Sequence, residues 1–298
     1  MTMMTTANPS TAASPAAAPA RLPRPLSRLM GLAAVLPMRR LSPLHPRQVG
    51  LEVRDLTLPG EAGPLAAWFV PHPDARAGVV LCHGYSDSRA QFLPLMRPLH
   101  EAGFHVLSFD FRAHGRSGGR ICTYGAREQY DVATALDWLR SETGLQTHGL
   151  MGCSMGGVSS ILAAATDDDV AAVASDCAFA RLEDMPEQRL RFLPPSMRVP
   201  AGIHLARAAQ EWTGIPASEV NPEATLRSWK SRPLMLIHGE KDRLTPPEHA
   251  HRLARAAGEQ VDLWLVPGAP HAQSRAHAGA VYPRRVCEFF RKHLPTAH

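Results

Sequence analysis

Gly152-Cys153-Ser154-Met155-Gly156 sets a serine between two glycines, after an apolar run and before an Ala-rich stretch of helical pattern. A G-x-S-x-G segment in that setting suits a sharp strand-to-helix turn. Small residues leave room for the chain to reverse, and the serine hydroxyl projects clear of the backbone. Gly157 adds to the close packing of the turn. A serine hydroxyl is a weak nucleophile at neutral pH and needs an adjacent base. The chain order that goes with such a turn is Ser, then Asp or Glu, then His. Asp242 follows the apolar run 233–237 through His238-Gly239-Glu240-Lys241, and His271 follows the run 261–266 through Pro267-Gly268-Ala269-Pro270. The stretch between them accommodates one helix and one strand. Ser154 is therefore read as nucleophile, His271 as general base and Asp242 as the acid that orients the histidine, for acyl transfer to water. Two other acids compete for the last role: Glu240, two residues away, and Asp176, directly after the apolar run 170–175.

Such chemistry needs donors aimed at the oxyanion of the tetrahedral intermediate. The Met155 N–H, at the helix start, is one candidate. The second is Tyr85, in the loop His83-Gly84-Tyr85 after the run 78–82, where Gly84 permits close backbone approach and the Tyr85 side chain can line a pocket. His83 and His114 are read as loop braces rather than metal ligands, since no carboxylate–histidine cluster accompanies them at ligand spacing. Neither C-x-x-C nor H-E-x-x-H occurs, and the reaction needs neither metal nor organic cofactor.

These residues require a scaffold that brings several strand ends to one rim. Leu51–Leu58 and Leu65–Val70 read as strands joined by a turn at 59–64. The compact apolar run 78–82 reads as a strand buried on both faces, and 105–110, 150–153, 170–175, 233–237 and 261–266 read as further strands. Helical spacing covers 88–102, 126–142, 156–165, 247–257 and 279–293. The alternation predicts an α/β fold: a mostly parallel central sheet covered by helices on both faces. Residues 178–231, with six prolines from Pro186 to Pro222, interrupt it and are too long for a simple crossover. Lying after a strand's carboxyl end, they read as a small helical cap over the site.

The net charge is +5, but residues 1–50 hold six arginines and no acid, leaving 26 basic against 27 acidic residues in the remainder. That balance offers no phosphate-binding face, and nucleic acid is not expected as a partner. The five scattered cysteines read as reduced and structural, and the chain as cytoplasmic. Residues 1–20, mostly Ala, Ser, Thr and Pro, read as a disordered tail. Residues 21–49 form a basic and apolar segment, and 50–298 the main domain. The apolar stretch 26–36 is too short to span a bilayer. It is expected to dock on the body, with a peripheral membrane contact through residues 21–40 as the alternative. Oligomeric state is not legible.

Several separated motifs together resemble the α/β-hydrolase superfamily, in its bacterial branch of serine aminopeptidase-like and prolyl-oligopeptidase-like hydrolases. His83-Gly84-Tyr85 resembles the family's oxyanion loop. Asp110–Ser117 resembles its D-x-R-G-H-G-x-S segment, with Ala113 in place of the first glycine. Thr123-Tyr124-Gly125, Glu128 and Asp131 resemble the entry to the next helix, and Gly152–Gly157, His238–Asp242 and His271 the elbow, acid and base. The resemblance runs from about residue 50 to 295 and implies an α/β-hydrolase fold. The expected activity is cleavage of small-molecule carboxylic esters of short to medium acyl chain. A serine peptidase acting on short peptides is the alternative, with Glu183, Glu187, Arg189 and Arg191 of the cap available to hold a substrate terminus. A non-catalytic binding protein on the same fold is the alternative of another class; an intact triad argues against it.

Overall fold

The computed structural model describes residues 24–229, 232–259 and 261–296. The expected disordered tail at 1–20 and the first residues of the 21–49 segment lie outside the described residues. Helix α1 (Arg24–Val35) precedes the sheet. Strands β1 (Arg54–Leu58) and β2 (Leu65–Val70) form a hairpin. There follow β3 (Gly78–Cys82), α2 (Leu93–Glu101), β4 (His105–Phe109), α3 (Glu128–Thr143), β5 (His148–Cys153), α4 (Met155–Ala165) and β6 (Val170–Asp176). Helices α5 (Met185–Arg189), α6 (Pro195–Thr213) and α7 (Pro222–Arg227) interrupt the alternation. It resumes with β7 (Leu234–Gly239), α8 (Glu248–Ala257), β8 (Val261–Val266), α9 (Ser274–Ala278) and α10 (Val281–His293).

The eight strands form one sheet in the order β1-β2-β4-β3-β5-β6-β7-β8. Only the β1/β2 and β2/β4 pairings are antiparallel; the rest are parallel. This is the mixed, mostly parallel sheet of the α/β-hydrolase fold. Central strands β3, β5 and β7 are buried at every residue, because helices cover both faces. One face packs on Val132, Leu136 and Leu139 of α3, Ile161 of α4 and Leu253 of α8. The other packs on Leu95, Met96 and Leu99 of α2 and on Tyr282, Val286 and Phe290 of α10. A consequence of parallel pairing is that β5, β6, β7 and β8 all end on the same rim.

Two boundaries differ from the sequence expectation for identifiable reasons. The stretch 88–102 opens with a tight 3-10 turn, Arg89–Phe92, before α2, whose Pro94 belongs to a first turn where its missing N–H is not needed. The final helical stretch is split: Gly279, at φ 54°, closes α9, and α10 starts at Val281.

In the stretch 178–231, α7 packs on α4 and α8 and sinks Leu226 into the core, while α5 and α6 stand above the rim. Helix α1 lies along α6. Gly31 makes that approach possible, since a methyl there would collide with the Ala208 carbonyl, and the Trp212 Nε1–H donates to the Arg28 carbonyl at 2.8 Å. Val35 is buried, whereas Leu26, Leu29 and Leu36 face out. Beyond the helix, Arg39 donates to the carbonyls of Ser117 and Gly119, each at 2.6 Å. Residues 24–39 are thus fastened both to the cap and to the main body. Among the described residues, no helix is long and apolar enough to cross a membrane.

Candidate active site

Ser154 sits between the end of β5 and the first residue of α4, with φ 51° and ψ −116°. A non-glycine residue at positive φ is strained, and the surrounding packing must hold it there. The Ser154 N–H donates to the Asp176 carbonyl at 2.7 Å. The flanking glycines are sterically required: a methyl at Gly152 would strike the Gly156 carbonyl, one at Gly156 the Cys82 carbonyl, and one at Gly157 the Ser175 hydroxyl.

From the loop after β8, His271 places Nε2 3.0 Å from Ser154 Oγ and Nδ1 2.7 Å from Asp242 Oδ2. Asp242 is itself fixed, its Oδ1 accepting the N–H groups of Leu244 at 2.9 Å and Thr245 at 2.8 Å. Burial alone would raise its carboxyl. Hydrogen bonds from His238, His271 and the Thr245 backbone, with the charge of the His271 ring, outweigh that and hold it at about 2. A carboxylate so placed keeps a proton on Nδ1 and leaves Nε2 to accept one from the hydroxyl. The hydroxyl, imidazole and carboxylate therefore form one relay from a cavity into the protein interior.

The two competing acids stand elsewhere. Asp176 accepts from the hydroxyls of Ser274 and Tyr282, each at 2.8 Å. Burial raises its carboxyl, and those two hydrogen bonds oppose the rise. Its carboxylate ties β6 to α9 and α10 instead of meeting the imidazole. Glu240 is exposed and receives a long bond, 3.4 Å, from the Gly268 N–H. Cys177, Asp242 and His271 bring possible ligand atoms within 4.8 Å of one another. Burial holds the Cys177 thiol well up, however, and the Asp242 oxygen is already engaged by Nδ1. A neutral thiol beside a paired carboxylate is a poor donor set for a cation.

Met155 opens α4, where helix geometry leaves N–H groups without an intrahelical acceptor. Gly84 lies across from it, and a methyl there would come within 3.7 Å of Ser154 Cβ. His83 is fully buried, with Nδ1 2.7 Å from the Gly84 carbonyl and Nε2 accepting the Phe111 N–H at 3.0 Å. Burial, and next the neighbouring His114, push its pKa well down. His114 Nδ1 lies 2.8 Å from the Arg112 carbonyl. Both rings join loops and neither reaches Ser154. Ala113 adopts φ 64°, so the alanine in the family's glycine position carries a real conformational cost.

One participant was not singled out in the sequence. Gln91, on the 3-10 turn, accepts the Gly84 N–H at 2.8 Å and approaches Cys153 Sγ at 3.4 Å, so it braces the Gly84–Tyr85 loop against the serine turn. Its signal was one polar residue beside Phe92 and Leu93 at the start of an apolar stretch. Ser154 and His271 open onto a cavity of about 300 Å³ roofed by α5, α6 and the end of α1.

A nucleophile-elbow serine relayed through histidine to aspartate, on a sheet of this topology, defines the serine-hydrolase class of site. Residues 79–202 match the family model described as alpha/beta hydrolase fold. An esterase from Pyrococcus furiosus superposes with a TM-score of 0.74 at 26% identity, over 88% of this chain and 98% of that one. Among curated relatives, the uncharacterized protein YqkD of Bacillus subtilis is 28% identical over 74% of this chain and 72% of its own length. The uncharacterized protein YfhR of Escherichia coli K12 is 27% identical over 76% and 75%. The chain has the α/β-hydrolase fold, and these likenesses distinguish no narrower branch.

Proposed function

We propose that this chain is a serine hydrolase that cleaves carboxylic esters of short to medium acyl chain through an acyl-enzyme on Ser154. The observation that carries the reading is the unbroken relay Ser154 Oγ–His271–Asp242 at 3.0 and 2.7 Å. In this reading His271 Nε2 takes the hydroxyl proton as Ser154 attacks the ester carbonyl. The N–H groups of Met155 and Tyr85 receive the oxyanion. The imidazolium then protonates the leaving alcohol, and water repeats the sequence in reverse to free the acid. The similarity to a Pyrococcus furiosus esterase supports ester cleavage. The cavity supports the chain-length range, since about 300 Å³ is at the small end for ligand sites.

Of the four cap residues available to a peptidase, Arg189 alone lines the cavity. Glu183 and Glu187 are exposed and do not line the cavity, and Arg191 donates to the Arg243 carbonyl at 2.8 Å. A fluorophosphonate probe should label Ser154 in the folded protein. A panel of p-nitrophenyl esters should show the highest kcat/KM at short to medium acyl chains. Absence of labelling would overturn the hydrolase reading, and a maximum at the sixteen-carbon ester would overturn the chain-length reading.

A further inference from the structure

Arg189, the last residue of α5, lines the same cavity as Ser154 and His271. Its guanidinium carbon stands 5.3 Å from the ring centre of Tyr85 and 5.2 Å from that of Tyr124, two rings stacked 4.9 Å apart. Both tyrosine hydroxyls donate to the Ala34 carbonyl at the end of α1. The platform is therefore held from three separate segments, and the guanidinium stands against it. Among the described residues, Arg189 has no carboxylate and no hydrogen-bond acceptor.

The other charged groups lining the cavity are Arg40, Asp87 and His271. Asp87 accepts the Ser88 N–H at 2.9 Å and lies in the field of Arg40. Burial raises its carboxyl, with the Ser88 hydrogen bond and Arg40 pulling it back. Those two charges offset each other, and His271 is committed to Ser154 and Asp242. What remains is one cation, set against two stacked rings, in a mostly apolar chamber that it shares with the nucleophile. An arginine left unpaired in such a place presents a rigid fork of donors, which matches a carboxylate in a way an ammonium does not.

Resting on the ester-hydrolase reading above, we propose that Arg189 is a specificity-determining residue that selects esters carrying a carboxylate away from the scissile bond. The substrate class is then a monoester of a dicarboxylic acid, or an ester otherwise terminated by a carboxylate, with an apolar middle. A substrate bearing a free ammonium is disfavoured by the same wall, because two guanidinium groups, Arg40 and Arg189, line the cavity against the single carboxylate of Asp87.

The test uses the full chain with two p-nitrophenyl esters of equal acyl length, the hexanoate and the mono-ester of adipate. Each kcat/KM is normalised to the ester's own alkaline hydrolysis rate. The wild type should favour the adipate ester, and Arg189→Gln should lower that preference by about ten- to a hundredfold, the range for a hydrogen bond to a charged group. The loss should fall mainly in KM, and Arg189→Lys should recover part of it. No preference in the wild type, or one that survives Arg189→Gln, overturns the proposal. The wild-type ratio decides even where a variant folds poorly. Calorimetric binding of adipate against hexanoate to Ser154→Ala separates the two readings. Arg189-dependent adipate binding without ester turnover in the wild type would leave the anion site standing and remove the hydrolase reading. Equal binding of the two would remove the anion site alone.

Discussion

Replacing Asp242 by asparagine is the sharpest perturbation of the relay, because it preserves shape and inverts one hydrogen bond. The Leu244 and Thr245 N–H groups both donate to Oδ1, at 2.9 and 2.8 Å. In Asp242→Asn the amide oxygen must take that side, so the amide NH2 occupies the position 2.7 Å from His271 Nδ1 where Oδ2 now stands. Two donors cannot share that contact. The imidazole responds by moving its proton to Nε2, which lies 3.0 Å from Ser154 Oγ. The ring then offers the hydroxyl a proton instead of taking one, and the general base is lost. The wrong tautomer costs roughly 10⁴-fold in kcat in the analogous triad, or about 5.5 kcal/mol of transition-state stabilisation. The cost to folding is smaller. A carboxyl held at about 2 against its ordinary 3.8 corresponds to about 2 kcal/mol at neutral pH.

The assay is kcat on a short-chain ester and the rate of fluorophosphonate labelling, with melting temperature measured in parallel. Asp176→Asn is the matched control, since Asp176 serves Ser274 and Tyr282 and does not touch His271. A kcat for Asp242→Asn within about tenfold of wild type would refute the orienting role of Asp242. So would an equal loss in an Asp176→Asn protein of native melting temperature.

Removing residues 1–20 should leave melting temperature and activity nearly unchanged, whereas removing 1–45 strips α1 from α6 and deletes the Arg39 bonds. Equal melting temperatures of the two truncations would contradict the docking role of α1. Gly156→Ala should yield protein unable to form the serine turn, because its methyl would overlap the Cys82 carbonyl; soluble protein with native ester turnover would refute the steric argument. Stability should decline as pH falls from 6.5 towards 4. His148 and His249 are held at about 4, by burial above all and next by Arg140 for His148, while in the unfolded chain both titrate near 6.5. The unfolded state then binds more protons across that window, so stability is intact above it and is lost as pH falls, by at most about 3 kcal/mol per histidine. A melting temperature flat down to pH 4 would show that reasoning to be wrong.

The part of the site that was legible in the sequence is the part that depends on neighbours along the chain. The serine turn advertises itself through the local pattern of Gly152, Gly156 and Gly157, although only the collision at Gly152, with the Gly156 carbonyl, is local, and those at Gly156 and Gly157 lie on Cys82 and Ser175 of the neighbouring strands. Alternation of strand and helix then carries Asp242 and His271 to the same rim, whatever the details of packing. The choice between Asp242 and Asp176 was harder. It rests on Ser274 and Tyr282, about a hundred positions further on, which engage the Asp176 carboxylate. Gln91 was invisible for a similar reason, since its partners Gly84 and Cys153 belong to two different strand ends.

The substrate side was the least legible, and the physical reason is its assembly from remote segments. Arg189 ends a helix of five residues that carries no periodic pattern, and nothing local tells it from Arg191, which faces outward onto the Arg243 carbonyl. Its orientation comes from Tyr85 and Tyr124, which are fastened in turn to Ala34, so α1 reaches the cavity through two hydroxyl bonds to one carbonyl. Gly31 lies in the middle of helix α1. It is the point where α1 closes on α6, and without that closure neither Ala34 nor the roof over Ser154 would be held. The strand ends therefore carry the proposed chemistry, while selectivity is assigned to a roof whose parts lie about 150 residues apart. A single substitution at Gly31 should accordingly act on substrate preference before it acts on Ser154. Gly31→Val is expected to lower the adipate-to-hexanoate ratio while fluorophosphonate labelling persists, and an unchanged ratio with labelling intact would argue that the roof plays no part in selection.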